Sequence, residues 1–384
     1  MTSKFKTLLA ALVAAGAIPA AHAADLKIGV AAALSGGAAQ YGISIRNGFE
    51  LAAAEVNAAG GVNGNKISLV VEDEQGRKEE AINVFRKLVF QDKVLMVFGP
   101  TLSNSAQAAH PIAQGAKTVA FGTSNTADGI TSIGNFIFRN SVTEADVLPA
   151  TIEMVKRKTG LKNVAVLYGN DDVFTKSGYD NFAKALKDQN IPVTTTETFA
   201  KGDVDFKAQL TKIKSTNPDA LVMSALIAEG APAMVQARQV GLNVPVIGGN
   251  GMNSVKIFDL APGGNSNNLW IGSPWSIENK AAENAKFIEA YKAKYNVAPD
   301  QFAAQAYDAL YIVTQALKNT QITGNLPADR IALRDALPAV QWTGATGPFK
   351  FRQATDRAGK PAGFDADQAP IVSVTKDGKY VIEK

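Results

Sequence analysis

Two short clusters of small polar residues, Thr101-Leu102-Ser103-Asn104-Ser105 and Thr123-Ser124-Asn125-Thr126, are the strongest candidates for chemistry in this sequence. Each follows an apolar run, Val94 to Phe98 or Thr118 to Phe121, that is broken by Gly99-Pro100 or by Gly122. An apolar run, a glycine and then hydroxyls read as a buried strand delivering the chain into a loop that opens a helix. Ser103 to Ser105 are placed to cap the helix Ala106 to Gln114. One such cluster most often serves only as a cap. Two of them on consecutive strand-loop-helix units bring Oγ groups and unpaired backbone N–H groups to one rim of a parallel sheet, where a carboxylate can be held.

Other chemistries fail on inventory. There is no Walker phosphate loop, no His-Glu-x-x-His and no strand-coupled Gly-x-Gly-x-x-Gly, and Gly122-Thr123-Ser124-Asn125-Thr126 lacks the final glycine of a nucleophile elbow. Cysteine is absent, which excludes thiol catalysis, zinc-thiolate sites and iron-sulfur clusters. His22 falls in a leader segment, leaving His110 as the one imidazole, and a lone histidine before Pro111 reads as structural. Glu72 to Glu74 read as solvated turn residues, whereas Asp171-Asp172 end a strand near the expected cleft. No catalytic residue, metal or cofactor is expected.

The frame around these loops is an alternation of strands and helices with short turns, the pattern of an α/β protein with parallel sheets flanked by helices. Leu26 to Ala31 is the first strand; a Gly-rich loop, Ala32 to Tyr41, leads into the helix Ile43 to Ala58. Ile67 to Glu72 is the second strand and Lys78 to Gln91 an amphipathic helix. A second series runs from the helix at Glu144 through strands at Asn163 to Tyr168, Val193 to Phe199, Ala220 to Ser224 and Val246 to Gly248, so the chain builds the same unit twice. Residues 1–23 have the parts of a secretory signal: Lys4 and Lys6, an apolar core from Leu8 to Ile18, and Ala21-His22-Ala23 as the cleavage site. Without them the 384-residue chain still exceeds the ~250 to 300 residues at which one core divides, so two lobes are expected. The formal charge of +4 falls by two with the leader, no basic block remains, and a nucleic-acid partner is not expected. Phe349 to Phe351 and Ile371 to Tyr380 read as a terminal hairpin. The predicted division is 24–142 plus 274–346 for the amino-terminal lobe and 143–273 plus 347–384 for the carboxy-terminal lobe. Crossings near Ser141 to Thr143, Ser273 to Trp275 and Thr346 to Phe349 then make a hinge with a cleft.

With these residues in place the mature chain resembles the leucine-isoleucine-valine-binding protein family, the type I periplasmic receptors of ABC importers. The resemblance rests on Ile28 to Val30 with Leu34-Ser35-Gly36 and Gln40-Tyr41-Gly42, on Asn57-Ala58-Ala59-Gly60-Gly61-Val62-Asn63-Gly64, and on Phe98-Gly99 with Ser103. Thr123 to Thr126, Ala237-Arg238 with Gly241-Leu242, and Gly344 to Phe349 extend it. It implies a two-lobed Venus flytrap, exported to the periplasm and monomeric. Such a receptor closes on a branched-chain or other hydrophobic amino acid and hands it to permease subunits in the inner membrane. It further implies that Ser103, Ser124 and Thr126 hold the ligand α-carboxylate, and that Tyr41, Phe174 and Leu226 line the side-chain pocket. The acidic residue that receives the ligand ammonium falls on Asn250, an amide that supplies no opposing charge. Glu144, Asp171 or Glu229 could replace it; otherwise the ligand is a carboxylate or amide without an amino group, such as an aromatic acid. A ligand-sensing regulator sharing the fold and a secreted hydrolase are the competing readings.

Overall fold

The computed structural model describes residues 25–384; the expected signal and the expected start of the mature chain at Ala24 lie outside them. The first series of strands is β1 (Leu26–Ala32), β2 (Ile67–Asp73), β3 (Met96–Phe98), β4 (Val119–Gly122) and β5 (Ile137–Arg139). The second is β6 (Val164–Gly169), β7 (Val193–Phe199), β8 (Ala220–Ser224), β9 (Val246–Gly248) and β10 (Leu269–Ser273). Three later strands, β11 (Gln341–Gly344), β12 (Gly347–Thr355) and β13 (Pro361–Asp367), precede a final pair, β14 (Ile371–Lys376) and β15 (Lys379–Ile382). The first sheet has the order β11-β12-β13-β5-β4-β3-β1-β2, and the second β15-β14-β10-β9-β8-β6-β7. The parallel core of each is therefore the same construction: β2-β1-β3-β4-β5 in one lobe, β7-β6-β8-β9-β10 in the other.

The central strands are short and buried throughout, as strands covered by helices on both faces must be. The order reverses between β1 and β3 and again between β6 and β8. In open α/β sheets a ligand sits beyond the carboxyl ends of the strands at such a reversal.

The expected lobe division needs correction at its carboxyl end. Residues 347–367 belong to the first sheet, because Gly344 and Gly347 close a tight hairpin that pairs Trp342 with Phe349 and sends β12 back along β11. β13 then joins β5 in parallel through Phe364 and Phe138. The driving force is aromatic. Phe98, Phe121 and Phe138 are fully buried, and Phe351 packs edge-on to Phe121 and Phe138, with ring centroids 6.0 and 5.5 Å apart. Burying a phenylalanine side chain contributes roughly 1.5 to 3 kcal/mol. The expected hairpin between Phe349–Phe351 and Ile371–Tyr380 does not form; β14 pairs instead with β15 and β10. The third crossing thus lies between Asp367 and Ile371; earlier, the chain leaves β5 at Arg139 for the second series, and leaves β10 at Ser273 for helices that pack on Ala39–Ala58.

Two helices begin earlier than their sequence suggests. The helix after β1 spans Ala39–Ala58 and takes in Tyr41 and Gly42. Only glycine permits this docking, since a Cβ at position 42 would lie 1.9 Å from the Ala33 carbonyl oxygen. The helix after β3 spans Ser103–Gly115 behind Leu102 as N-cap, with no side-chain capping bond. Ser103 to Ser105 are therefore its first turn and not its cap. The helices Ala282–Tyr295 and Gln301–Lys318 return to the first lobe and pack on Ala39–Ala58.

Candidate functional site

A cavity of about 290 Å³ lies between the lobes at both reversals of strand order. Six of the seven residues singled out in the sequence line it: Tyr41, Ser103 and Ser124 from the first lobe, and Phe174, Leu226 and Asn250 from the second. Each follows a parallel strand, in turn β1, β3, β4, β6, β8 and β9, so the doubled scaffold delivers three side chains from each side.

The first-lobe wall is polar and braced. Ser103 Oγ accepts from the Ala127 N–H at 3.4 Å, and Ser124 Oγ donates to the Thr101 carbonyl at 2.7 Å. The first-turn N–H groups of the helix Ser103–Gly115 have no partner inside the helix, so this end favours an anion. Glu74 fixes the loop from below, accepting from the Thr101 N–H at 3.2 Å and the Ser105 hydroxyl at 3.1 Å. It is fully buried, contrary to the solvated turn residue expected from its sequence; burial raises its pKa. His110 is structural, as expected. Its Nε2 lies 3.0 Å from the Gly99 carbonyl, and burial pushes its pKa down to about 4, so it is neutral at neutral pH.

The second-lobe wall is mainly apolar. Phe174 sits in the first turn of the helix Val173–Asp188, which Asp172 caps by accepting from the Phe174 and Thr175 N–H groups at 2.9 and 3.1 Å. Leu226 is the N-cap of the helix Ile227–Gln239. Asn250 is less free than its position suggests, because its side-chain oxygen accepts from Gln301 Nε2 and its N–H donates to Glu144 Oε1 at 2.9 Å.

Thr126 is the exception. It does not line the cavity, and its hydroxyl is directed at Glu144 Oε1, 3.5 Å away. Of the acids expected near the ligand, Asp171 is exposed and accepts from the Lys201 N–H at 3.0 Å. Glu229 accepts from the Gly202 N–H at 3.0 Å and faces a separate recess with Arg77 and Lys201. Glu144 is buried beside Thr126 and Asn250, and burial pushes its pKa up to about 7.

Phe302 and Gly251 complete the lining without having been anticipated. Phe302 comes from a helix far along the chain and meets the Tyr41 ring edge-on, centroids 4.8 Å apart. Only the N-cap pattern Asp300-Gln301-Phe302 hinted at a helix end there.

The lobes are held shut by direct bonds. Tyr41 donates its phenol to the Gly251 carbonyl at 2.5 Å and accepts from the Ile227 N–H at 2.8 Å. Asn104 Nδ2 donates to Asp172 Oδ2 at 2.5 Å, and its oxygen accepts from the Val173 N–H at 2.6 Å. The Asp128 N–H donates to Ser177 Oγ at 2.9 Å.

Two like lobes closed over a small cavity of this kind define a solute receptor of the flytrap class. The chain belongs to the family described as "Periplasmic binding protein", whose profile matches residues 25–377. It is 29% identical over 357 residues to the leucine-, isoleucine-, valine-, threonine-, and alanine-binding protein of Pseudomonas aeruginosa, covering 92% of this chain and 93% of that protein. It is 28% identical over 324 residues to the Leu/Ile/Val-binding protein of Citrobacter freundii, covering 83% and 86%. Among solved structures, the branched-chain amino acid transporter substrate-binding protein of Streptococcus pneumoniae in complex with isoleucine superposes with a TM-score of 0.84 at 30% identity, covering 94% and 99%. A solute-binding protein of an ABC transporter from R. palustris in complex with benzoate superposes at 0.81 with 25% identity, covering 93% and 95%. The expected family and the two-lobed α/β fold are thereby both established.

Proposed function

We propose that this protein is exported to the periplasm with its signal cleaved after Ala23. There, as a monomer, it captures a branched-chain or other hydrophobic amino acid and presents it to ABC permease subunits in the inner membrane. The observation that carries this reading is the cavity between the lobes at both strand-order reversals, polar at Ser103 and Ser124 and apolar at Phe174, Leu226 and Phe302. The ligand carboxylate sits on the first-lobe rim, its side chain meets the apolar wall, and closure excludes water. No bond of the ligand is made or broken. The permease distinguishes the liganded closed form from the open one by population shift.

A second reading, in which the ligand is an aromatic or aliphatic acid without an amino group, is favoured by Asn250, whose side-chain oxygen is already engaged by Gln301. Similarity to the benzoate-bound protein agrees with it. Thermal-shift screening of amino acids against aromatic and aliphatic carboxylates tests both, since a ligand at 100 times its Kd stabilises by about 2.7 kcal/mol. A shift with leucine, isoleucine or valine is expected. Turnover of an ester or amide by the purified protein would overturn the receptor reading.

A further inference from the structure

We infer that Glu144 supplies the negative pole of the cavity and receives the ammonium group of an α-amino acid, the task Asn250 is not free to perform. This deepens the receptor reading and rests on it. Glu144 opens the helix Glu144–Thr159 at the first crossing between lobes. Its Oε1 is shared by donors from opposite lobes, the Asn250 N–H at 2.9 Å and the Thr126 hydroxyl at 3.5 Å. Its Oε2 is buried and has no hydrogen-bond partner.

A buried carboxylate oxygen left unpaired is costly, and a native fold that keeps one has a use for it. Among the described residues, no basic side chain neutralises it. The charged neighbour from the loop after β4 is another acid, Asp128. Asp146, on the same helix, is engaged by Arg352 at 2.8 Å. The facing turn Gly248–Met252 carries no ionisable residue and presents bare Gly249, where a Cβ would lie 3.0 and 3.2 Å from the two carboxyl oxygens. Among the described residues, no lysine, arginine or histidine pairs with Glu144.

Its partner Asn250 lines the cavity and its partner Thr126 lies two residues beyond Ser124, which also lines it. Glu144 itself stands behind this lining; on this inference an ammonium seated between Ser124 and Asn250 reaches the free oxygen behind them, while the carboxylate stays on the Ser103 rim. The cavity then has one pole of each sign, matched to a zwitterion; an acid lacking the amine leaves the free oxygen unmatched.

The test is calorimetry with leucine, its deamino analogue 4-methylpentanoate, and benzoate, each in two buffers of different ionisation heat across neutral pH. With Glu144 partly protonated in the empty protein, leucine should ionise it and release a proton, so leucine affinity should fall as pH drops below about 7. Binding of 4-methylpentanoate should show the opposite sign or be undetectable. Glu144→Gln keeps an oxygen for the Asn250 N–H; it should abolish the leucine proton release and weaken leucine about 10- to 100-fold while leaving 4-methylpentanoate unweakened.

Leucine binding without proton release, or equal leucine affinity in Glu144→Gln, overturns the inference; the wild-type measurement decides even if the variant misfolds. Tight binding of 4-methylpentanoate or benzoate but not leucine overturns it and leaves the receptor reading standing. No saturable binding of any of the three overturns both.

Discussion

The two lobes share one strand order and do different work. The amino-terminal lobe ends its strands in Thr101 to Ser105 and Thr123 to Thr126, where Thr101 and Ser105 are bonded to Glu74, and Ser124 and Asn125 to the backbone carbonyls of Thr101 and Pro100. The carboxy-terminal lobe ends the corresponding strands in Phe174 and Leu226 and offers mainly apolar surface. A repeated scaffold thus leaves the loops free to specialise. On the proposed function, the lobe that meets the ligand carboxylate is assembled in advance by its own hydrogen bonds; its counterpart covers the ligand mainly with apolar area removed from water, which needs no directional precision, and adds Glu144.

That division can be broken from either side. The largest expected effect is on the apolar lobe. Phe174→Ala should weaken leucine binding by roughly 3 kcal/mol, the low end for phenylalanine-to-alanine truncation in a packed site, as measured by calorimetry. Ser103→Ala on the polar wall removes a hydroxyl that accepts from Ala127 and keeps its own hydrogen to donate, and should weaken it by roughly 1 to 3 kcal/mol if a charged acceptor loses its donor; equal affinity for leucine and for its amide would deny the carboxylate contact. Tyr41→Phe strips the phenol oxygen that joins the lobes at Gly251 and Ile227, and should cost about 1 to 2 kcal/mol of affinity through easier opening. Small-angle scattering of that variant should show a more extended unliganded form. Asn104→Ala, outside the cavity lining but bonded across the cleft to Asp172 and Val173, should cost roughly 0.5 to 1.5 kcal/mol and act on the release rate more than on capture.

Much of this was legible in the sequence because it is local and periodic. Apolar runs such as Val119–Gly122 bounded by glycine and hydroxyls announce strand ends, and the repetition of strand and helix announces two lobes. What escaped depends on contacts across the chain. Glu74 carries a charge at a strand end, which reads as solvated until Thr101 and Ser105 close over it. The turn at Gly344 to Gly347 could equally serve a crossing or a hairpin, and only the packing of Phe351 on Phe121 and Phe138 decides. The resemblance assigns the Thr126 hydroxyl to the ligand, yet its direction depends on Glu144, brought near by the fold. Phe302 carries no local mark of its role, since its neighbour Tyr41 is far away in sequence.

The crossing between Asp367 and Ile371 has a consequence for biogenesis. Neither sheet is complete until the final portion of the chain arrives: the first awaits β11 to β13, and the second awaits β14 and β15. A chain emerging amino end first must wait with the flanks of β5 and β10 uncovered, and such open strand edges invite association with other chains. Both halves therefore mature together at the end of synthesis, and a truncation of only a few dozen carboxy-terminal residues would leave not one unit damaged but two.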